Sequence, residues 1–449
     1  MRIVIIGAGN AGRHLARTLG SMAHDVVVID KNKAPLTELE SQIDVLTIQG
    51  QGASPAILEQ AEIGRADLVV AVTSRDEVNI LACAYAKACG VEHKVARVAQ
   101  KTFDPATCRL DVRALGVDLM VSHKEECARE IANMLRLAGT QEVVDLLDGK
   151  AVAVGIKVGT TSPLLRTNLV GFPDADLISR IRFIAAVRGE ELIIPRGDTQ
   201  FMLGDDVYVV MLPDQVRAFL DWACPDHPRF EKVIIGGGGD LGLSLARRLE
   251  DLPMQVTLFE LNRERAEVCA RELDKTLVMC GNLLHRETLC EAGLIDNTAY
   301  IAVTGDDENN IISCLVAEKE GASFTLAQVT KPEYVPIINS LSLLDRAVSP
   351  HVSMTNAILH FVRGHHVAHA ALLHNLPGEL LELDLPEGSK LANKPIHSVN
   401  LPKGAIIATL LRGEEAIPAT GDTVLQAGDR VVIFSLPQAV EKVQSRLQK

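Results

Sequence analysis

The stretch RIVIIGAGNAGRHLA (residues 2–16) carries the reading of the fold. RIVII is an apolar run of strand length that stops at Gly7, and a helical pattern begins after Gly12. Gly7 allows a tight turn out of the strand. Gly9 leaves the backbone bare, so that a pyrophosphate can approach it. Gly12 lets helix and strand pack closely. Asn10 and Ala11 fall between these glycines. The helix N-terminus that follows offers free N–H groups and a partial positive charge that favour phosphates. The next apolar run, DVVVID, ends on Asp30, at an offset of 18 from Gly12 (30 − 12). A carboxylate there accepts hydrogen bonds from ribose hydroxyls and opposes a 2′-phosphate, favouring NAD over NADP. The adjacent Lys31 offsets part of that preference.

The same text recurs. KVIIGGGGDLG (residues 232–242) repeats RIVIIGAGNAG at an offset of 230 (237 − 7). The second loop is Gly237, Gly239, Asp240, Leu241 and Gly242, and its acid is Glu260, again at an offset of 18 (260 − 242). DLVVAVTSRDEVNI matches AYIAVTGDDENNI. FIAAVRGEELIIPRGDTQFMLGDDVYVV pairs with IIATLLRGEEAIPATGDTVLQAGDRVVIF, with Gly204 and Gly428 offset by 224. Ordered similarity in two unlike segments means an internal duplication of a two-domain unit.

Within each unit the first part alternates strand and helix. RIVII, DVVVI, DVLTI, DLVVAV, HKVARV and VDLMVS read as buried strands separated by helical segments, which predicts a doubly wound parallel sheet of Rossmann type. Lys124 to Ala138 sets Cys127, Ile131 and Leu135 on one helical face. After Gly139 come short strands, VAVGIKV, RFIAAV, ELIIP and DDVYVVM, the signature of a small α+β domain. The fold class is therefore α/β: two doubly wound parallel-sheet domains, each followed by a small α+β domain. The expected boundaries are 1–123, a connecting helix 124–139, 140–222, a linker 223–229, 230–350, a second connecting helix 351–369, and 370–449.

Composition agrees. Aromatics are only 3% of 449 residues, so the core is Val/Ile/Leu/Ala-rich, as in strands covered on both faces. A net charge of −13 with no basic patch argues against nucleic acid or anionic lipid as partners. No apolar run reaches the roughly 18 residues of a membrane span. Met1 runs directly into a strand, and the nine cysteines are scattered without a CxxC pair. Both features lead to the expectation of a cytosolic protein with reduced thiols and no secretion signal.

Thr73, Ser74, Thr304 and Gly305 end the fourth strands, and carboxyl ends of strands face the ligand crevice in this topology. Arg97 ends the fifth strand of the first copy, where it can neutralise phosphate charge. Its counterpart is Gln328, so the second site is expected to lack a cation and to bind nucleotide more weakly or differently. No group of catalytic type accompanies either loop. The four tyrosines lack the lysine of a YxxxK pair. Asp198, Asp205 and Asp206 read as turn residues. His365 and His369 have helical spacing but no carboxylate or cysteine beside them, so no metal site is assigned. Two cradles without attached chemistry suggest a sensor. The competing readings are an NAD-dependent oxidoreductase with an atypical substrate domain, and a scaffold that holds nucleotide structurally.

These residues carry a resemblance. IVIIGAGNAGRHLA, Asp30, VVAVTSRDEVNILAC, Arg97 and VSHKE resemble the N-terminal half of regulator-of-potassium-conductance (RCK) domains. SPLLRTNL with RGEELIIPRGDTQFMLGDDVYVV resembles their C-terminal half. Two copies in tandem are similar to the peripheral regulatory subunits of Trk potassium-uptake systems. The resemblance implies NAD(H), and also ATP or ADP, as ligand at the loop residues named above. It implies a homo-oligomeric ring, a tetramer, on the cytoplasmic face of the inner membrane beneath a Trk-type integral membrane potassium transporter that it gates. It implies no enzyme activity. Two departures stand out. QGQGAS (49–54) and CGNLLH (280–285) carry no Asp after the third strands, and SPLLRTNL lacks the glycine–lysine usual after its apolar pair.

Overall fold

The computed structural model describes residues 1–447 apart from positions 23, 99–102, 104–107, 110, 190, 228, 295–296, 342, 367–369, 373–377, 390, 400 and 403. The first copy begins β1 (Arg2–Ile6), α1 (Asn10–Ser21), β2 (Asp25–Asp30), α2 (Lys33–Glu40), β3 (Leu46–Gln49) and α3 (Pro55–Gln60). It continues β4 (Leu68–Ala71), α4 (Asp76–Ala88), β5 (His93–Arg97), β6 (Leu119–Val121) and the connecting helix α5 (His123–Arg136). Its small domain comprises β7 (Glu142–Leu146), β8 (Ala151–Lys157), α6 (Ala175–Arg180), β9 (Ile181–Arg188), β10 (Glu191–Ile193), β11 (Asp206–Met211) and α7 (Val216–Ala223).

The second copy repeats this order. It runs β12 (Lys232–Gly236), α8 (Asp240–Leu249), β13 (Gln255–Glu260), α9 (Arg263–Glu272), β14 (Leu277–Cys280) and α10 (Arg286–Glu291). Then follow β15 (Thr298–Ala302), α11 (Asp307–Lys319), β16 (Phe324–Gln328), α12 (Tyr334–Leu341), β17 (Arg346–Val348) and α13 (Pro350–His366). The last elements are β18 (Ala370–Leu372), β19 (Glu379–Asp384), β20 (Ala405–Arg412), β21 (Glu415–Pro418), β22 (Arg430–Ser435) and α14 (Val440–Leu447).

The six-stranded sheets have the orders β3-β2-β1-β4-β5-β6 and β14-β13-β12-β15-β16-β17, all parallel. Strand order reverses beside β1 and β12, and there a crevice opens at the carboxyl ends. Ile3, Val4, Ile5 and Ile6 are fully buried, as a strand covered on both faces requires. The two parallel-sheet domains form one compact unit, Met1–Arg136 with Phe230–Phe361.

Helix α5 buries the predicted face, Cys127, Ile131 and Leu135. Its polar residues reach the second copy. Glu125 accepts hydrogen bonds from Ser244 Oγ (2.6 Å) and Arg248 Nη2 (3.0 Å) on α8, and Glu130 accepts one from Ser353 Oγ (2.5 Å) on α13. Arg17 on α1 pairs with Glu333 at 3.0 Å.

The other unit, Leu137–Arg229 with Val362–Lys449, holds two antiparallel sheets, β10-β9-β11-β8-β7 and β18-β19-β22-β20-β21. Leu147, Ala153, Tyr208, Leu380, Val432 and Phe434 belong to one buried cluster drawing on both sheets. Strand β7 (EVVDL) is absent from the strands that the sequence pattern predicts. An edge strand pairs on one side only, and with Glu and Asp flanking its apolar residues it carries little strand signal.

Asp205 is corrected by the structure. It is not a simple turn residue: it is 1% exposed and accepts Arg188 Nε and Nη2 at 2.9 and 2.8 Å, besides the Met202 N–H at 2.8 Å. Arg412 and Asp429 repeat this pair at an offset of 224 (412 − 188; 429 − 205), with the Gln426 N–H in place of that of Met202. Asp206 is the first residue of β11. Removing Asp205 leaves the Met202 N–H without its acceptor and takes two charge-assisted bonds from Arg188, whose 32% exposed side chain water can partly resolvate. Asp205→Ala is therefore expected to cost about 2 kcal/mol. Urea unfolding of the wild type and variant should show the midpoint fall, and an unchanged midpoint refutes the assignment.

Candidate functional site

Each glycine loop is held by the same short contacts. The Gly7 N–H donates to Ile29 O at 2.7 Å and the Gly237 N–H to Phe259 O at 2.8 Å. Gly7 and Gly237 have φ of +109° and +118°, the region that favours glycine. A Cβ on Gly12 would lie 1.8 Å from Gly7 O, and one on Gly242 would lie 1.9 Å from Gly237 O. No side chain fits at either position. Gly9 and Gly239 are the opposite case. Each caps a helix in extended conformation, and an added Cβ would meet nothing within 4 Å. These positions point into open space on the ligand side. No side chain caps α1 or α8, so their first-turn N–H groups stay available, whereas Asn262 and Asp306 cap α9 and α11 of the same domain.

The acids are anchored by the loops they serve. Asp30 accepts the Ala8 N–H at 2.7 Å and the Asn32 N–H at 2.8 Å. Glu260 accepts those of Gly238 and Asn262, both at 2.8 Å. One lone pair on each oxygen is so used, and the others remain to accept a diol. In the QGQGAS segment, Gly52 is buried against Ile6, where a Cβ would meet Ile6 Cγ2 at 2.3 Å. Close approach to the sheet accounts for glycine there.

The carboxyl ends of β4 and β5 are tied by a residue that the sequence reading missed. Asn79 is fully buried. Its Oδ1 accepts Thr73 N (3.0 Å) and Thr73 Oγ1 (2.7 Å), and its Nδ2 donates to Thr73 O (3.1 Å) and Arg97 O (2.7 Å). Asn310 makes the same four bonds to Thr304 and Gln328. The signal lies in the repeat: VNI and NNI place Asn at matching positions of the two copies. Thr73 and Thr304 are thus oriented at the crevice, with the exposed Ser74 and Gly305 beside them.

Arg97 stands at the end of β5 and Gln328 at that of β16, as the repeat requires. Burial disfavours the charge on Arg97, and the nearby Asp76 supports it. Next to Arg97 lie neutral histidines. His123 stacks on His351 with ring centroids 5.7 Å apart, and burial, with Arg97 adding to it, pushes the His123 pKa down to about 3. Burial also lowers His14 and His351.

Gln328 does replace Arg97 at this position, but other cations lie by the second loop. Arg265, whose counterpart is Pro35 (265 − 230), donates from Nε to Gly238 O at 2.7 Å and lies 3.3 Å from Asp240. Lys124 reaches Asp240 at 2.7 Å.

Among the described residues no group of His, Cys, Asp and Glu could hold a metal, and eight described cysteines are free. Cys83 and Cys127 are buried, with thiol pKa values raised by burial. His369 falls outside the described residues, and with it the pair it makes with His365. No helix of the described residues is long and apolar enough to cross a membrane.

The open and closed glycine positions predict a contrast. Gly9→Val should fold normally and fill the space above the helix end, abolishing nucleotide binding at the first loop. Gly12→Ala must push α1 off β1 and should lower the melting temperature. Asn79→Ala removes four hydrogen bonds from a buried site and should cost about 3 kcal/mol. Thermal melts with calorimetric titration check all three. A Gly9→Val protein that binds with wild-type affinity at both loops refutes the cradle.

Comparison with known proteins fits this geometry. The family profile described as the TrkA-N domain matches residues 3–123 and 233–350, and that of the TrkA-C domain matches residues 153–223 and 380–448. The "Trk system potassium uptake protein TrkA" of Azorhizobium caulinodans is 33% identical over 99% of this chain and 98% of its own. That of Halomonas elongata is 31% identical over 97% and 95%. Among solved structures, the "GsuK RCK domain" has a TM-score of 0.61 at 20% identity, covering 100% of this chain and 95% of its own. The "GsuK channel bound to NAD" has a TM-score of 0.62 at 19% identity, covering 100% and 79%. These two share the fold. The chain belongs to the TrkA family, as a tandem repeat of paired TrkA-N and TrkA-C domains.

Proposed function

We propose that this chain is the cytosolic regulatory subunit of a Trk-type potassium-uptake system. It binds NAD(H), and also ATP or ADP, and gates an integral membrane potassium-transporting partner. It works as a homo-oligomeric ring, a tetramer, held at the cytoplasmic face of the inner membrane by that partner. The observation that carries the reading is the pair of matched glycine cradles in one compact unit. The names of the TrkA relatives supply the transport system, and the NAD-bound GsuK channel, which shares the fold, supports the ligand.

The residue roles follow from the chemistry. Gly7, Gly9, Asn10, Ala11 and Gly12 receive the pyrophosphate of the first nucleotide, and Gly237, Gly239, Asp240, Leu241 and Gly242 that of the second. Asp30 and Glu260 accept ribose hydroxyls. Thr73, Ser74, Thr304 and Gly305 line the crevice, and Arg97 balances phosphate charge. A nucleotide changes the shape of such a protein only by the difference in its affinity for two arrangements. The connecting helices give that difference a route, because α5 packs on α8 of the other copy and α13 bonds to α5.

Two measurements test this. Asp30→Ala should weaken NADH binding about tenfold and leave the fold intact, with a modest fall in melting temperature because the Ala8 and Asn32 N–H groups also lose their acceptor. Equal affinity would mean a different ligand or pose. The chain should also co-purify with a Trk-type membrane subunit and restore growth of a potassium-uptake mutant in low potassium. Failure of both removes the assignment to a transporter.

A further inference from the structure

Strand β6 ends at Val121 and β17 at Val348, an offset of 227 (348 − 121), and each runs into a connecting helix. At that offset Lys124 corresponds to His351 (351 − 124). The two residues begin helices that cross to the other copy. His351 lies against His123, and the charges of Arg97 and His14 bear on it; all three belong to the first domain. Lys124 lies at the second loop, with its Nζ 2.7 Å from Asp240 Oδ2. Asp240 is the first residue of α8 and stands where the first loop has Asn10.

An acid at this point is a problem for a phosphate site. It suits the helix dipole, but it repels the anion that the helix end would bind. The structure answers it with two cations. Lys124 holds one carboxylate oxygen and Arg265, at 3.3 Å, faces the other. Both side chains are only partly buried, Lys124 being 44% exposed, so their ends can turn toward a phosphate placed over Gly239. At the first loop the corresponding residue is the neutral Asn10, and the cation on it is Arg13 of the same helix, whose Nη2 donates to Asn10 Oδ1 at 3.1 Å. The crossing residue of the other helix is the imidazole of His351, which burial, with the charges of Arg97 and His14 adding to it, keeps neutral.

We infer that Lys124, supplied by the first parallel-sheet domain, is a phosphate-binding residue of the second nucleotide site, which thereby favours a nucleotide with a free terminal phosphate. The inference rests on the reading of the second loop as a nucleotide site. Asp240 acts as the holder that keeps Lys124 and Arg265 over the helix end until a phosphate competes for them. A terminal phosphate carries more charge than the diester pyrophosphate of NAD, and it draws more from each cation. Crossing helices then make the second site a joint product of both domains, so that its ligand ties them together.

The test uses the full chain with the first loop closed by Gly9→Val, so that calorimetry reads the second site alone. ADP and NADH are the probes. Lys124→Met is expected to weaken ADP binding about fivefold and NADH binding about twofold. Asp240→Asn is expected to strengthen ADP binding about threefold, because it releases the cations and removes the repulsion. An ion pair that served only to join the domains would give a different pattern: both variants would lower the melting temperature of the nucleotide-free protein, and neither would tighten ADP. Unchanged ADP affinity in Lys124→Met, or weaker ADP binding in Asp240→Asn, overturns the inference and leaves the proposed function standing. If the Gly9→Val protein binds neither probe, the second loop is not a nucleotide site, and both the inference and that part of the proposed function fall.

Discussion

Everything at the two candidate sites depends on the approach of one helix to one carbonyl. Helix α1 passes so close to Gly7 O that position 12 has no room for a methyl group, and α8 does the same at Gly237 O and position 242. That closeness fixes where the helix axis points. It brings the first-turn N–H groups over the crevice between β1 and β4, at the reversal of strand order. The acid at the end of β2 or β13 then bonds back to the loop, so the phosphate end and the ribose end of the crevice form one rigid piece. Asn79 and Asn310 fix the opposite wall by tying the ends of neighbouring strands. Little has to move for such a cradle to accept a nucleotide, and the binding energy is left to act elsewhere.

The fold is legible in the sequence because its signals are local. Apolar runs of strand length, glycines at turning points and a fixed spacing from glycine to acid can each be read without knowing what lies across the sheet. The duplication doubles the evidence at every step. What escapes is of another kind. Asp205 sits in GDTQFMLGDD, a segment full of turn residues, and nothing local marks its partner Arg188 across the turn. The clue is the recurrence of Arg and Asp at a spacing of 17 in both copies (205 − 188; 429 − 412). Asn79 looks like one more polar residue near a helix start, until its four bonds place it between two strand ends. Strand β7 escapes because an edge strand pairs on one side only and need not be apolar throughout.

The charge at the second site shows the limit of reading position by position. Gln328 does stand where Arg97 does, yet the loss of a cation does not follow from that substitution. A cation can reach a glycine loop from another helix of its own domain, as Arg265 does, or from the other domain, as Lys124 does. Neither is found by aligning the two copies, because Arg265 aligns with Pro35 and Lys124 belongs to the other half. Only the packing of α5 on α8 brings Lys124 there.

Fusion of the two copies in one chain makes this asymmetry available. In a symmetric pair of identical subunits, a crossing residue changed at one site is changed at the other, since both sites come from one sequence. Here Lys124 and His351 are separate positions, and so are Asn10 and Asp240. The stacked pair His123 and His351 is kept uncharged by burial, with Arg97 adding to it, while charged Lys124 pairs with Asp240 at the second loop. One scaffold, repeated with the same glycine geometry and the same asparagine ties, thus presents two different electrostatic surfaces. For a sensor that difference matters more than the likeness. Two unlike cradles joined by crossing helices give the proposed regulator two separate inputs.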